Sequence, residues 1–398
     1  MKKLFLVFIT LANLTFLSSI SFANDYKNTN YFEFVTGSAT GNKFCYKTNS
    51  EQDLEGSGYN IHLTSYNDYY MDNFYMTSAV AFTAITDRYS RTYNAPVLEQ
   101  HFVEVSEATI NYKLTENDIA TIGILSFKKG AFSEYTKSGL RQSEGLMTLY
   151  YINMPGIFYT KYINDYKIQV GYASHTRLEL VPTNRYEHSQ EGSDISFLFA
   201  SKTYDKHTVR FNASHAKIIY DTVESLSSVE HAELGTLDNI GVGYVYDNRE
   251  YSGNLFYGIF ALSQTKFDGT RLTSGHEVSA PGVKISKEDD RLGHSLLLGA
   301  KKDIDIINNE LFIGTEFFYA SKYWVSLVTD EISTNEYSWG DLGSSYKVYT
   351  GITITPKIKA SINYKYSIFD YQKLKGGNSV KDVNTYAHKI YFRLDYLF

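Results

Sequence analysis

Lys359 and Lys365 stand on one parity of the segment IKASINYKYSIF, together with Ser361, Asn363 and Ser367. Fixed ammonium groups spaced along one face can attract and orient anions. Without an adjacent base or nucleophile they carry no proton-transfer or acyl chemistry. Similar cations recur at Lys202, Arg210, Lys347, Lys389 and Arg393, with Asp395 as a counter-charge close to the last. A separate group, Lys137, Arg141 and Glu144, lies within KGAFSEYTKSGLRQSEGLMTLYYINMP, where opposite charges close together could set up a transverse field.

Other chemistries find no support. The 10 histidines show neither metal-ligand spacing nor an H-E-x-x-H pattern, so no metal site is expected. Neither the G-x-S-x-G elbow nor the phosphate-cradling G-x-x-x-x-G-K-S/T occurs, and no catalytic residue or cofactor is expected. Cys45 is the single cysteine, which excludes an intramolecular disulfide. The net charge of -6 argues against a nucleic-acid partner.

The elements that must hold these cations are strands. In IKASINYKYSIF, Ile358, Ala360, Ile362, Tyr364, Tyr366 and Ile368 occupy the parity opposite to the lysines, and period two means a β-strand with two different environments on its faces. The closing segment YAHKIYFRLDYLF repeats the pattern, with Ile390, Phe392, Leu394, Tyr396 and Phe398 against Lys389, Arg393 and Asp395. Slipping the first segment by one residue would turn Lys359 and Lys365 toward the apolar side. In a bilayer that costs roughly 2–4 kcal/mol for a mid-membrane lysine. The same reasoning turns Arg210, Lys347, Glu316 and Lys322 inward.

The N-terminus MKKLFLVFITLANLTFLSSISFA places two lysines before an apolar stretch that ends in Ser21 and Ala23, the form of a secretory signal peptide over residues 1–23. Residues 24–398 then make a single domain. No later uncharged run approaches the roughly 20 residues that a spanning helix needs. Aromatics stand out, with 36 Tyr and 25 Phe against 5 Pro. Tyrosine suits strands and membrane–water boundaries.

Period-two reading gives about sixteen strands. Short polar turns at 67–73, 116–117, 164–165, 205–206, 248–250, 305–309 and 356–357 alternate with longer polar connections such as 221–236, 268–292 and 129–155. An antiparallel up-and-down transmembrane β-barrel with short periplasmic turns and long extracellular loops produces this rhythm, and an even strand number brings both termini to one side. A β-propeller shares the hairpin period of such a chain, but no blade signature is present. On five strands the inward cations Lys202, Arg210, Lys347, Lys359, Lys365, Lys389 and Arg393 outnumber Asp194 and Asp395, so the interior reads basic. The acids concentrate in the expected loops, at Asp221, Glu224, Glu230 and Glu233 and at Asp330, Glu331, Glu336 and Asp341.

The signal peptide, the alternating strands and the terminal KIYFRLDYLF resemble a Gram-negative outer-membrane β-barrel, and the strand count resembles the trimeric general porins. The resemblance covers the mature chain in architecture and rests on pattern. It implies an outer-membrane location, a water-filled channel passing small hydrophilic solutes and ions, and a terminal Phe398 read by the outer-membrane assembly machinery. It further implies contact with the lipid bilayer and lipopolysaccharide, a homotrimer, and an inward-folding constriction loop carrying Lys137, Arg141 and Glu144. The lining would be Lys202, Arg210, Lys347, Lys359, Asn363, Lys365, Lys389, Arg393 and Asp395, with a mild preference for anions. The alternatives are a structural or adhesive barrel plugged by its own loops, and an outer-membrane enzyme built from scattered residues.

Overall fold

A computed structural model describes residues 25–45, 50–89, 98–127, 152–174, 194–225, 228–266, 271–272, 291–306, 309–324, 342–373 and 380–398. The strands are β1 (Asp25–Cys45), β2 (Ser50–Tyr70), β3 (Phe74–Tyr89), β4 (Leu98–Thr115), β5 (Asp118–Phe127), β6 (Ile152–Ile163), β7 (Tyr166–Ser174) and β8 (Asp194–Tyr204). They continue as β9 (His207–Ser225), β10 (Ser228–Asn248), β11 (Asn254–Lys266), β12 (Arg271–Leu272), β13 (Arg291–Ile306), β14 (Asn309–Ala320), β15 (Leu342–Thr355), β16 (Ile358–Lys373) and β17 (Val380–Leu397). Sixteen of them form the wall, each antiparallel to its neighbours, and β1 pairs with β17 to close the ring. The two-residue β12 only extends the edge of β10, at Ala232 and Glu233.

Burial follows the alternation. On β16 Ile362 is 57 % exposed while Asn363 and Lys365 are 4 % and 3 % exposed, and on β17 Ile390 is exposed while Tyr391 and Arg393 are buried. The exposed side is an apolar belt that includes Val209, Val242, Phe260, Leu298, Ile313 and Val348. Tyr386 and Tyr396 mark the two edges of this belt on β17. Ten residues of strand, tilted as barrel strands are, span a height of about 25 Å, which matches the apolar band of a membrane barrel.

The turns at one end are short, as the sequence predicts. Asn164 and Asp205 take φ of 51° in two of them, a left-handed conformation that Asn and Asp tolerate in two-residue hairpin turns. The expected turn at 248–250 is instead a single helical turn, α1 (Arg249–Ser252), ended by Gly253 at φ 68°. Two expected loops are also strand: β1 and β2 stay paired out to Cys45 and Ser50, and β9 and β10 out to Ser225 and Ser228. Asp221, Glu224, Glu230 and Glu233 therefore lie on a paired hairpin, interrupted by register shifts at Glu230/His231 and Glu233/Gly235, rather than on an irregular loop. Residues 1–23 lie outside the described residues.

Replacing Ile362 by lysine should cost about 2–4 kcal/mol in urea unfolding from phospholipid vesicles, whereas Ile362→Val should cost less than 1.5 kcal/mol. Equal costs would mean that Ile362 does not face lipid.

Candidate functional site: the charged arc of the inner wall

The strand registers gather most of the expected cations on one arc. Glu316 of β14, Lys347 of β15, Lys365 of β16 and Lys389 of β17 are successive cross-strand partners, all on the inward parity. Lys347 and Lys365 are buried and Lys389 is half-buried. Like charges directly opposite repel, so the arc depends on carboxylates. Glu316 supplies one, with Oε2 at 3.1 Å from Lys347 Nζ. Tyr257 of β11 donates its hydroxyl to the other oxygen of Glu316. Its ring lies across Gly299, where an added Cβ would meet a ring carbon at 2.0 Å. Glycine is needed there so that the tyrosine can cross β13 and reach β14.

Nearer the short-turn end the pairing continues. Lys301 and Asp303 of β13 lie 2.7 Å apart, both with little exposure. Arg393 on β17 bonds Asp395 and, across the closing pair of strands, Glu33 on β1. Lys359 is half-buried and faces Asp395 in the ladder, while Asn363 is buried and bonds Ser361 Oγ at 3.1 Å. Arg210 is buried on β9, opposite Ser201 of β8 and Gly243 of β10, well away from the arc. Phe398 is exposed, stacks on Tyr396 at 5.2 Å, and exchanges both backbone hydrogen bonds with Asn30.

Three expectations change. Lys202 shares its parity with the exposed Leu198 and so points outward, as does Asp194; the inward residues of β8 are Ile195, Phe197, Phe199 and Ser201. Lys202 sits beside the short turn, with Nζ 4.5 Å from the Tyr166 ring centroid. A long cation at a membrane boundary costs little because its head can reach water. Lys322 is not on β14 at all but in the turn after it, bonded to Asp382 at 2.6 Å. That carboxylate holds its ammonium above the usual lysine range. Thirdly, the basic excess of the arc narrows: Glu33, Asp303 and Glu316, counted with Asp395, set four acids against the six cations Lys301, Lys347, Lys359, Lys365, Lys389 and Arg393. Glu33 and Tyr31 escaped the sequence reading, although one acid on an otherwise apolar stretch, YFEFV, is the signal that could have exposed them. Lys137, Arg141 and Glu144 lie outside the described residues.

Glu316→Gln takes the carboxylate from Lys347 in a buried setting and should cost about 3 kcal/mol in urea unfolding, with most of it recovered in Glu316→Gln/Lys347→Met. No loss in the single variant would show that the pair does not matter to the wall.

Comparison with known proteins places this architecture. OmpF of Salmonella typhi, in a complex with daunomycin, superposes with a TM-score of 0.52 at 11 % identity, covering 94 % of this chain and 98 % of that one. OmpT of Vibrio cholerae in its trimer form gives 0.49 at 12 % identity over 94 % and 100 %. An anion-selective porin from Comamonas acidovorans gives 0.48 at 10 % over 94 % and 100 %. At such identities the OmpF likeness establishes fold alone. No curated protein matches the sequence. The fold is that of an outer-membrane porin-like β-barrel, and through residues 108–380 the chain belongs to the family described as "Protein of unknown function (DUF3373)".

Proposed function

We propose that the mature chain, after loss of a signal peptide at residues 1–23, forms a passive channel for small hydrophilic solutes and ions in a Gram-negative outer membrane. The observation that carries this reading is the sorting of side chains on a closed sixteen-strand wall, with apolar residues outside and Lys347, Lys365, Arg393 and Asn363 inside. A ring of sixteen strands is wide enough for an aqueous path, whereas eight would be filled by side chains. The three lysines in register support a preference for anions, and the carboxylates among them keep it mild. Diffusion through such a lining requires no catalytic step, so the protein is read as a channel and not an enzyme. OmpT of Vibrio cholerae is described in a trimer form, and a homotrimer is the assembly proposed here.

The dryness of the wall favours a second reading. Asn212, Asn239 and Ser263 are inward and fully buried, which suits a structural or adhesive barrel whose loops fill its interior. The segment 129–151, with Lys137, Arg141 and Glu144, is the proposed constriction in the first reading and the proposed plug in the second; 152–155 belong to β6.

Single-channel recording of the refolded protein in a planar bilayer separates them. Steady conductance with a reversal potential of anionic sign in a salt gradient is expected, and clear cation selectivity would remove the anion preference. If the parent is silent and a variant lacking residues 129–151 conducts, the plugged reading holds. Silence in both would reject a pore.

A further inference from the structure

The closing strands bring two carboxylates together. Glu33 of β1 and Asp395 of β17 are direct cross-strand partners, at opposite ends of the chain, and both are buried. Like charges so placed oppose the pairing that joins them. The row extends on each side, with Lys359 of β16 opposite Asp395 and His62 of β2 opposite Glu33. His62 is engaged by the hydroxyls of Thr64 at 2.7 Å and Thr83 at 2.9 Å. Lys359 keeps part of its exposure.

Arg393 spans the join. Its Nη2 lies 2.7 Å from Glu33 Oε2 and 2.8 Å from Asp395 Oδ1, and its Nε lies 2.8 Å from Asp395 Oδ2. The Tyr31 hydroxyl accepts from Arg393 Nη2 at 3.0 Å, is 2.9 Å from Glu33 Oε2 and also bonds Asp395. Arg393 is only 3 % exposed. A planar guanidinium can hold two carboxylates at once, which an ammonium cannot do with the same geometry. On the four strands at the join, the charged or titratable groups facing the pair are Arg393, Lys359, Tyr31 and His62.

We propose that Arg393, Glu33, Asp395 and Tyr31 form an electrostatic latch that makes closure of the barrel, the union of its first and last strands, depend on charge. In the open sheet Glu33 and Asp395 are apart and solvated. Closure strips their water and sets them face to face, and Arg393 makes that state favourable. The latch acts on assembly and stability and is independent of what the barrel conducts.

The test removes the cation and then the repulsion. In Arg393→Gln two buried carboxylates face each other with no guanidinium between them. Their repulsion is relieved near pH 4, where free carboxylates take up protons, and is full at pH 8, so the variant loses stability relative to the parent as pH rises. Parent, Arg393→Gln and the triple variant Arg393→Gln/Glu33→Gln/Asp395→Asn are refolded into phospholipid vesicles at pH 4 and pH 8. Closure is read from unheated electrophoretic mobility and from urea midpoints. Relative to the parent at the same pH, the single variant should lose about a hundredfold in folded-to-unfolded ratio at pH 8. Acid or the two neutralising changes should restore most of that loss. The proposal is overturned if Arg393→Gln follows the pH dependence of the parent, or if it is weakened at both pH values and the triple variant is weakened equally.

Discussion

Hydrocarbon offers no partner to a backbone N–H or C=O, so a strand that crosses a membrane must find every hydrogen bond on its neighbours. A flat sheet always leaves two edges unmet. The chain resolves this by pairing β1 with β17 from Tyr31–Leu397 to Gly41–Ala387, with the backbone of Phe398 tied to Asn30 beyond the last rung. Everything else follows from that closure. It creates an inside, it lets alternate residues face two solvents, and it fixes which charges meet.

The inside so made is not uniform. From β8 to β14 the buried inward residues are largely apolar or aromatic, among them Phe197, Phe199, Leu255, Ile259, Leu297 and Phe318. Along β13 to β17 and β1 ionic groups join the lining, and several come with opposites: Lys347 with Glu316, Lys301 with Asp303, Arg393 with Glu33 and Asp395. Buried cations on one wall are tolerable only on those terms, since desolvation of an uncompensated charge costs several kcal/mol. Small residues make the reach between strands possible, as Gly299 does for Tyr257. The wall is therefore a packed network with charge on it rather than a line of free cations.

Much of this was legible in the sequence where one face was greasy and the other charged. β16 and β17 were read in the right register because Lys359, Lys365, Lys389 and Arg393 sit well inside the strand and leave one choice. β8 was not, because its inner face is itself apolar and the charge of Lys202 was given the weight of a mid-membrane lysine although it lies at the boundary, where that cost fades. The ion pairs of the arc are hidden for a different reason. Glu316 turns inward on the cost of its charge alone, but its pairing with Lys347, like that of Glu33 with Arg393, depends on cross-strand register, which is not written in the local pattern. Strand lengths were underestimated where Ser, Thr, Asn and charge extend β1, β2, β9 and β10 as paired ribbons, since polar composition alone does not distinguish a ribbon from a loop.

A closed wall separates lipid from an interior at single-residue spacing. Nitroxide scanning of residues 358–368 in a cysteine-free background, with the protein in a bilayer, addresses it directly. Accessibility to oxygen should peak at 360, 362, 364 and 366 and fall at the residues between, with no such peaks for a water-soluble nickel chelate. A scan without period two, or one in which the chelate reaches Ile362 and Tyr364 as readily as oxygen does, would contradict the account.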